Sequence, residues 1–309
     1  MSFDAQVIAA YGRHLRVRDS TGTEYSARPF GRRLQLVCGD LVRCVADTVH
    51  DQVHIMELLP RRNSLSRSTT HGEPEAVVTN ISQIVVVMAP LPLPDLFIVD
   101  RYLCAAASSS IAALLVMNKM DLMAENGTTQ QGLSQILTAF LAAGYKIVYC
   151  SALERASLNT LGIELSGHTS VFVGQSGVGK SSLILSLVPE ADITTGELDR
   201  NDEGRHTTTS SRLYDLSGGG FLIDSPGVRD FAPAIESLEP RSLGFIEVDR
   251  LATECRFQDC QHLREPGCAV SRAVATGTFD DRRYESYRRL RRLHQSLRDA
   301  QGARKKTSP

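Results

Sequence analysis

No apolar run in this chain of 309 residues reaches the ~18 residues that a membrane-spanning helix requires, so such a helix is excluded. The opening residues, Met1-Ser2-Phe3-Asp4-Ala5, lack a basic segment followed by an apolar one. That predicts no secretory signal and a cytoplasmic location. No internal repeat is visible. Net charge is nearly absent, at −1, but the sum hides a gradient. Residues 1–70 carry 10 Lys and Arg against 7 Asp and Glu, and residues 280–309 carry 10 against 4, which leaves −10 for the stretch between. Basic ends of this kind either meet a polyanion or are simply solvated. Cysteine is sparse. Cys38, Cys44, Cys104 and Cys150 are scattered and read as small buried residues in a reducing compartment. Cys255, Cys260 and Cys268 instead crowd around His262.

What is present has the balance of a globular chain, 42 % apolar and 22 % charged, of a length that suits two or three domains. In His14-Leu15-Arg16-Val17-Arg18 the period is two, with Leu15 and Val17 on one face. Asp19-Ser20-Thr21-Gly22 reads as a turn, and Leu41–Val45 and Val53–Leu58 as further strands. Several short strands in this space predict a small β-barrel of the OB type over residues 1–62, an architecture that commonly binds nucleic acids. The polar stretch 63–80, with Pro74, reads as a linker. The pattern then changes. Ile84–Met88 is wholly apolar, as in a parallel sheet. Helices are expected at 95–107 and 129–143, and strands at 112–117, 147–149, 170–173 and 221–223. Strands alternating with helices predict an α/β sheet with ligand loops at the strand ends.

Gly174-Gln175-Ser176-Gly177-Val178-Gly179-Lys180-Ser181 fits the phosphate-binding pattern G-x-x-x-x-G-K-[ST]. It follows a strand and precedes the apolar helix Ser182–Leu187. Glycines let backbone N–H groups close around phosphate oxygens, and the helix N-terminus adds its positive end. Lys180 is expected on the β- and γ-phosphates and the Ser181 hydroxyl on Mg²⁺. The base is chosen elsewhere, at Asn118-Lys119-Met120-Asp121. A carboxylate at Asp121 accepts from both N1–H and the exocyclic amine of guanine, and adenine offers no such pair. Asn118 supports the loop, and the Lys119 stem lies over the base plane. Alone, the same four residues read equally well as a capped helix start.

Asp224-Ser225-Pro226-Gly227 lies 44 residues after Lys180. There Asp224 is expected to hold Mg²⁺ through water and the Gly227 N–H to sense the γ-phosphate. Ser151-Ala152-Leu153 follows a strand and offers backbone N–H groups to the guanine O6. In regulatory GTPases these pieces run in another order. Here Asn118 and Ser151 precede Gly174, and Asp224 comes last, as in a chain whose ends have been relocated around one site. The segment Pro189–Ser211 holds six acidic residues and then Gly204-Arg205-His206-Thr207-Thr208-Thr209. It is read as the first switch, with Thr207 or Thr208 on Mg²⁺.

Cys255, Cys260, His262 and Cys268 supply three thiolates and one imidazole, a full tetrahedral set for one structural Zn²⁺. A disulfide or plain buried thiols are the competing explanations. Residues 280–299 predict a helix with an apolar stripe of Tyr287, Leu290, Leu293 or His294, and Leu297. Arginines 288, 289, 291, 292 and 298 cover its other faces, either to grip phosphates or to be solvated.

Taken together, these motifs resemble the RsgA (YjeQ) family of circularly permuted GTPases that depend on the small ribosomal subunit. The resemblance covers nearly the whole chain. It is carried by Gly174 to Ser182, by Gly204 to Thr209, by Cys255 to Val270 with Glu265-Pro266-Gly267-Cys268, and by Asp100-Arg101-Tyr102-Leu103. It implies an OB-fold domain (1–62), a linker (63–80), a permuted GTPase domain (81–233) and an α-helical zinc-binding domain with a basic C-terminal helix (234–309). It further implies hydrolysis of GTP to GDP and phosphate, slow alone and faster on the 30S subunit, in late maturation of that subunit. The implied partners are the 30S subunit, its 16S rRNA and GTP or GDP, with no membrane, for a monomeric chain that carries Zn²⁺ and uses Mg²⁺. Val228 stands where a water-positioning Gln would be, which leaves His206 or a ribosomal group to orient the attacking water. Two rivals remain at this stage: a GTP-sensing rRNA-binding scaffold whose hydrolysis is incidental, and an ATP-using P-loop enzyme.

Overall fold

The computed structural model describes residues 2–11, 14–30, 34–47, 52–68, 74–125, 127–189, 191, 211–225 and 233–307, with side chains outside 124–132 and 301–307. Strands β1 (Ser2–Tyr11), β2 (His14–Asp19), β3 (Glu24–Pro29), β4 (Leu41–Asp47) and β5 (Gln52–Leu58) close on themselves in the order β1-β2-β3-β5-β4-β1. The β3–β5 pairing is parallel and the others are antiparallel. The period-two pattern acts as expected: Leu15 and Val17 point inward and meet Val7, Val42, Cys44, Val53 and Ile55. Each large aliphatic side chain sealed there contributes about 1.5–3 kcal/mol.

The stretch read as a plain linker is more ordered than its composition suggests. Strands β6 (Ser64–Ser68) and β7 (Pro74–Thr79) form an antiparallel ribbon. Leu65 and Val78 are buried in the large central core, Val77 packs against it half-buried, and Thr79 is buried as well. So few apolar inward residues in so polar a stretch do not register as an alternating pattern.

The second sheet contains β8 (Gln83–Met88), β9 (Ala112–Met117), β10 (Lys146–Tyr149), β11 (Thr169–Val173), β12 (Ser211–Asp215) and β13 (Phe221–Asp224), in the order β10-β9-β8-β11-β13-β12. The first five of these are parallel, and β12 runs antiparallel to β13. Ala9 and Ala10 of β1 pair with Arg212 and Ser211 of β12, so barrel and sheet are continuous.

Alternation within the apolar strands assigns the helices to two layers. Ile84, Val86 and Met88 share a core with α1 (Leu96–Ser108) and α2 (Gly127–Ala143) through Tyr102, Leu103, Leu137 and Phe140. Val85 and Val87 share another with α3 (Arg155–Leu165) and α4 (Lys180–Leu187) through Leu161, Leu165, Leu183 and Ile184. Burial on both faces is why these strands are apolar throughout.

Helices α5 (Ile246–Ala252), α6 (Ala269–Ala275) and α7 (Asp281–Thr307) pack on the α1 layer through Phe245, Val248, Val270, Tyr287 and Leu290. On α7 the fourth stripe residue is His294, which is buried, while Leu293 is exposed. Several arginines of α7 are engaged within the chain. Arg291 donates to the carbonyls of Pro240 and Arg241, and the Arg289 guanidinium lies 3.9 Å from the ring centre of Phe97.

Candidate functional site

Gly174–Gly179 links β11 to α4, and its turn is dictated by contacts that admit no side chain. Gly174 and Gly179 sit at φ of 142° and 91°. A Cβ at Gly174 would lie 2.3 Å from the Val87 carbonyl oxygen, and one at Gly179 would lie 2.4 Å from Asn118 Nδ2. Lys180 is buried, and its Nζ donates to the carbonyls of Gly174 and Gln175 at 2.8 Å each, tying the loop together across its mouth. Ser181 and Ser182 follow in the first turn of α4. Backbone N–H groups at such a helix start are unpaired within the helix and suit an anion.

The residues expected to choose the base pack directly on this loop. Asn118 is buried at the end of β9, and its Nδ2 donates to the Val178 carbonyl at 2.9 Å. Lys119, in the left-handed region at φ 58°, donates from Nζ to the carbonyls of Gly177 (2.6 Å) and Leu91 (3.2 Å). The Met120 N–H donates to the Cys150 carbonyl at 3.1 Å, joining this turn to the next strand end. Ser151 Oγ donates to Asp121 Oδ1 at 2.6 Å, which orients an otherwise exposed carboxylate. Within Ser151-Ala152-Leu153, the Ser151 N–H is taken by Ser157 Oγ and the Leu153 N–H by Ser151 Oγ. The group left to face a ligand is therefore the N–H of Ala152.

Asp224 ends β13, which runs parallel to β11, so its buried carboxyl and the glycine-rich loop share one edge of the sheet. A hydroxyl at the first turn of α4 and a carboxylate at the neighbouring strand end are hard oxygen donors, and they fit a Mg²⁺ that travels with a nucleotide phosphate. Gly227, His206, Thr207 and Thr208 lie outside the described residues.

The second cluster is made of side chains. The ligand atoms of Cys255, Cys260, His262 and Cys268 all lie within 4.8 Å of one another, three of the four residues being buried. Cys255 Sγ is 4.0 Å from Cys268 Sγ, and His262 Nδ1 is 3.4 Å and 3.6 Å from those two sulfurs. A disulfide needs about 2.05 Å. Thiolates ~2.3 Å from a tetrahedral metal stand about 3.8 Å apart, which this set nearly matches. The cysteines are free, and the group could hold a metal ion.

The loop around the cluster is braced. Glu265 accepts from the backbone N–H groups of Gln261, Leu263 and Arg264. Burial works against its charge, but these donors outweigh burial and hold its carboxyl down at about 2. Tyr284 and Tyr287 of α7 donate to the carbonyls of His262 and Gln261.

One polar assembly is not evident from sequence reasoning. Arg283 of α7 is 1 % exposed and bridges Asp100 of α1 to Glu247 of α5, while Arg282 takes the other Asp100 oxygen. Burial opposes the Arg283 charge, yet Glu247 and Asp100 more than offset this and raise its pKa above the guanidinium norm. The one available sign was the pair Asp100-Arg101 within an otherwise largely apolar helical segment. Asp100 binds the C-terminal helices to the layer that carries the nucleotide loops. At the N-terminus of α1, the Asp95 N–H donates to Gln175 Oε1 at 3.0 Å.

Comparison with known proteins agrees with this geometry. A model of the RsgA GTPase family matches residues 58–233. A small ribosomal subunit biogenesis GTPase RsgA from Azotobacter vinelandii is 44 % identical over 256 residues, 82 % of this chain and 74 % of that protein. Its namesake from Pseudomonas aeruginosa is 41 % identical over 286 residues, 92 % and 84 % respectively. Among solved structures, YjeQ from Thermotoga maritima superposes with a TM-score of 0.74 at 26 % identity, covering 95 % of this chain and 99 % of that one. YloQ, described as a circularly permuted GTPase, superposes with a TM-score of 0.73 at 25 % identity, covering 96 % of each. The fold is thus a circularly permuted α/β GTPase unit with an N-terminal barrel and a helical C-terminal part that holds the Cys/His cluster. On its sequence and its fold alike, the chain belongs to the RsgA GTPase family.

Proposed function

We propose that this chain is a GTPase that binds the small (30S) ribosomal subunit and acts in its late maturation, hydrolysing GTP to GDP and phosphate faster on the subunit than alone. The observation that carries the chemistry is the packing of Asn118 and Lys119 onto the phosphate loop, through Val178 and Gly177, with Asp121 oriented beside them by Ser151. Phosphate and base recognition then form one unit, and an acceptor at Asp121 rewards guanine. The curated relatives are named for small-subunit biogenesis, which supports the choice of partner.

Water attacks the γ-phosphorus, and the P–O bond to the β-phosphate breaks, releasing phosphate and leaving GDP. Lys180 leaves its two loop carbonyls for the phosphate oxygens, and backbone N–H groups of Gly177–Ser182 stabilise the spreading charge. Ser181, Asp224 and one of Thr207 or Thr208 would hold Mg²⁺, which would supply positive charge to the phosphate oxygens. Gly227 contributes its N–H toward the γ-phosphate. His206 orients the attacking water when the chain is docked on the subunit.

Cys255, Cys260, His262 and Cys268 hold one Zn²⁺, which the thiolate-rich donor set favours. The barrel (1–62), linker ribbon (63–80), GTPase unit (81–233) and zinc-binding part (234–309) form the working divisions of a cytoplasmic monomer. Among the described residues no helix is long and apolar enough to cross a membrane. Basic residues of the two ends meet 16S rRNA.

The test is single-turnover GTP hydrolysis with and without saturating 30S subunits, for the wild type and for His206→Ala. Acceleration of the wild type supports the reading, and its absence refutes it. A His206→Ala protein that binds GTP normally and loses most of the acceleration supports the catalytic role. Full acceleration of that variant removes His206 from the mechanism.

A further inference from the structure

The barrel fills its interior without its outer wall. Leu15 of β2 pairs with Ala27 of β3, and Ala27 with Val53 of β5, and all three are buried. Their neighbours along the strands, Arg16, Arg28 and His54, therefore lie on the outer wall. Two large apolar side chains share that wall: Phe30 is 58 % exposed and Met56 44 %. The Phe30 N–H donates to the Ile55 carbonyl at 2.9 Å, which sets Phe30 beside the Ile55–Met56 peptide. Met56 is passed over in the register of β4 and β5, where Arg43 pairs with Glu57 and Cys44 with Ile55. A bulge of this kind re-aims the side chain it carries. The His54 ring stands edge-on to Phe30 with centres 5.4 Å apart, and its Nε2 lies 3.2 Å from Asp47 Oδ2. Arg28, which is exposed, sits opposite His54 on the β3–β5 ladder.

We infer that Phe30, with His54 and Met56 around it and Arg28 beside it, is a stacking site for an unpaired base of single-stranded RNA. The inference rests on the reading proposed above, in which the N-terminal end meets rRNA. An outward Phe on a strand lies outside the core and keeps its ring in water, and a stacked base removes that exposure. Arg28 supplies positive charge for the adjoining phosphate, a charge that a purely apolar occupant would leave unused. Size points the same way. A stable protein interface takes about 800 Å² from each partner around an apolar centre, whereas two side chains match the span of a base or two. In duplex RNA the base faces are hidden within the stack, so a site of this kind selects single strands.

The chain contains no tryptophan, so Phe30→Trp in the full-length protein places a single indole at the site. Its emission is followed at low salt during titration with a mixed-sequence single-stranded RNA of about 12 nucleotides, and with the same RNA annealed to its complement. Affinities for the single strand, for GDP and for 30S subunits are measured for the wild type, Phe30→Ala, Phe30→Leu and Arg28→Gln. Phe30→Trp is expected to bind the single strand within about twofold of wild type, with emission quenched as the RNA saturates and little change with the duplex. Phe30→Ala and Phe30→Leu are each expected to lose about tenfold in affinity for the single strand, with GDP affinity unchanged. Arg28→Gln is expected to lose less and to show a shallower salt dependence. Should Phe30→Ala fail to fold, the Phe30→Trp emission decides alone. Steady emission while the RNA saturates overturns the inference, as does an equal response to the duplex or wild-type affinity in Phe30→Leu. Loss of 30S binding in Phe30→Ala with RNA affinity intact assigns the patch to a protein and overturns it too. A wild type that binds 30S subunits and no single-stranded RNA overturns this inference alone, and one that binds neither refutes the proposed partner as well.

Discussion

At the nucleotide site the contributing groups come from places as far apart as Asn118 and Asp224, and much of what they offer is backbone. At the Cys/His cluster four side chains from 14 consecutive residues converge on one point. The first arrangement depends on the sheet: β8, β9, β11 and β13 must lie side by side and parallel before their ends share an edge. The second, on the reading proposed above, depends on a metal ion. Residues 255–268 bury few large apolar side chains, and a loop of that kind has little else to offset its ordering cost. Damage to the cluster is therefore expected to unfold a segment, and damage to the nucleotide site to spare the fold.

The largest effect follows from removing one ligand. Cys260→Ala is expected to lose the metal, about one equivalent in the wild type, and to unfold the segment around residues 255–268. Nucleotide binding is expected to stay within a few-fold, because none of its groups lies there. Metal analysis of chelator-free protein, paired with GDP titration, checks both halves. Loss of GDP binding alongside the metal would show that the two sites are not separable, with the Asp100–Arg283 bridge the first place to look.

Next in size is base choice. Asp121→Asn is expected to weaken GTP about 100-fold, since guanine donors then face an amide in place of a carboxylate. Xanthosine triphosphate, whose C2 oxygen needs a donor, is expected to gain. The fold is untouched, because Asn still accepts from Ser151 Oγ. Competition binding with the two nucleotides and ATP measures this directly. An unchanged preference for GTP would mean that the base is read by other groups.

The contrast also explains what the sequence made legible. Gly174 and Gly179 were readable because a Cβ at either would collide, with the Val87 carbonyl oxygen and with the Asn118 side chain, a demand that leaves a fixed spelling. The cluster was readable because its four ligands are close in sequence. The ribbon over Ser64–Thr79 was not, since few of its residues face the core and Val77 and Val78 are neighbours that break any alternation. The engagement of Arg283 was hidden for the opposite reason. Its helix is so rich in arginine that the buried one is spelled like its solvated neighbours, and its partners Asp100 and Glu247 lie 183 and 36 residues away. The inward turn at His294 in place of Leu293 reflects the helical phase set by Tyr287 and Leu290.

A smaller effect is expected inside the nucleotide site itself. Gly179→Ala places a Cβ 2.4 Å from Asn118 Nδ2 in a backbone conformation that costs an L-residue about 1–2 kcal/mol. Asn118 must shift, and its bond to Val178 lengthens or breaks. GDP affinity is expected to fall about 30-fold, against a modest drop in melting temperature. Gly277→Ala shares a left-handed φ of 72° with open space around it, so it carries the strain without the clash and serves as the control. If both variants lose stability alike and GDP affinity is intact, the close approach to Asn118 has no functional weight.

The smallest effect is expected where barrel and sheet meet, at a contact that looks strong in geometry. Arg18 donates to both oxygens of Asp215, at 2.9 and 2.8 Å, and also to Glu24 at 2.9 Å. The Asp215 side chain is 62 % exposed, so solvent screens the pair and little is lost with its charge. The barrel is also joined to the sheet by the pairing of Ala9 and Ala10 with Arg212 and Ser211 and by the shared burial of Ile8 and Cys38, which a change at Asp215 leaves in place. Asp215→Asn keeps one acceptor for Arg18 and leaves the bond to Glu24 intact. Its cost is expected to be at most about 0.5 kcal/mol, a shift in melting temperature of about 2 °C or less. Adding salt is expected to narrow the gap between variant and wild type, because screening weakens the pair only in the wild type. A fall of several degrees, insensitive to salt, would reverse the ranking and make this ion pair the structural joint between barrel and sheet.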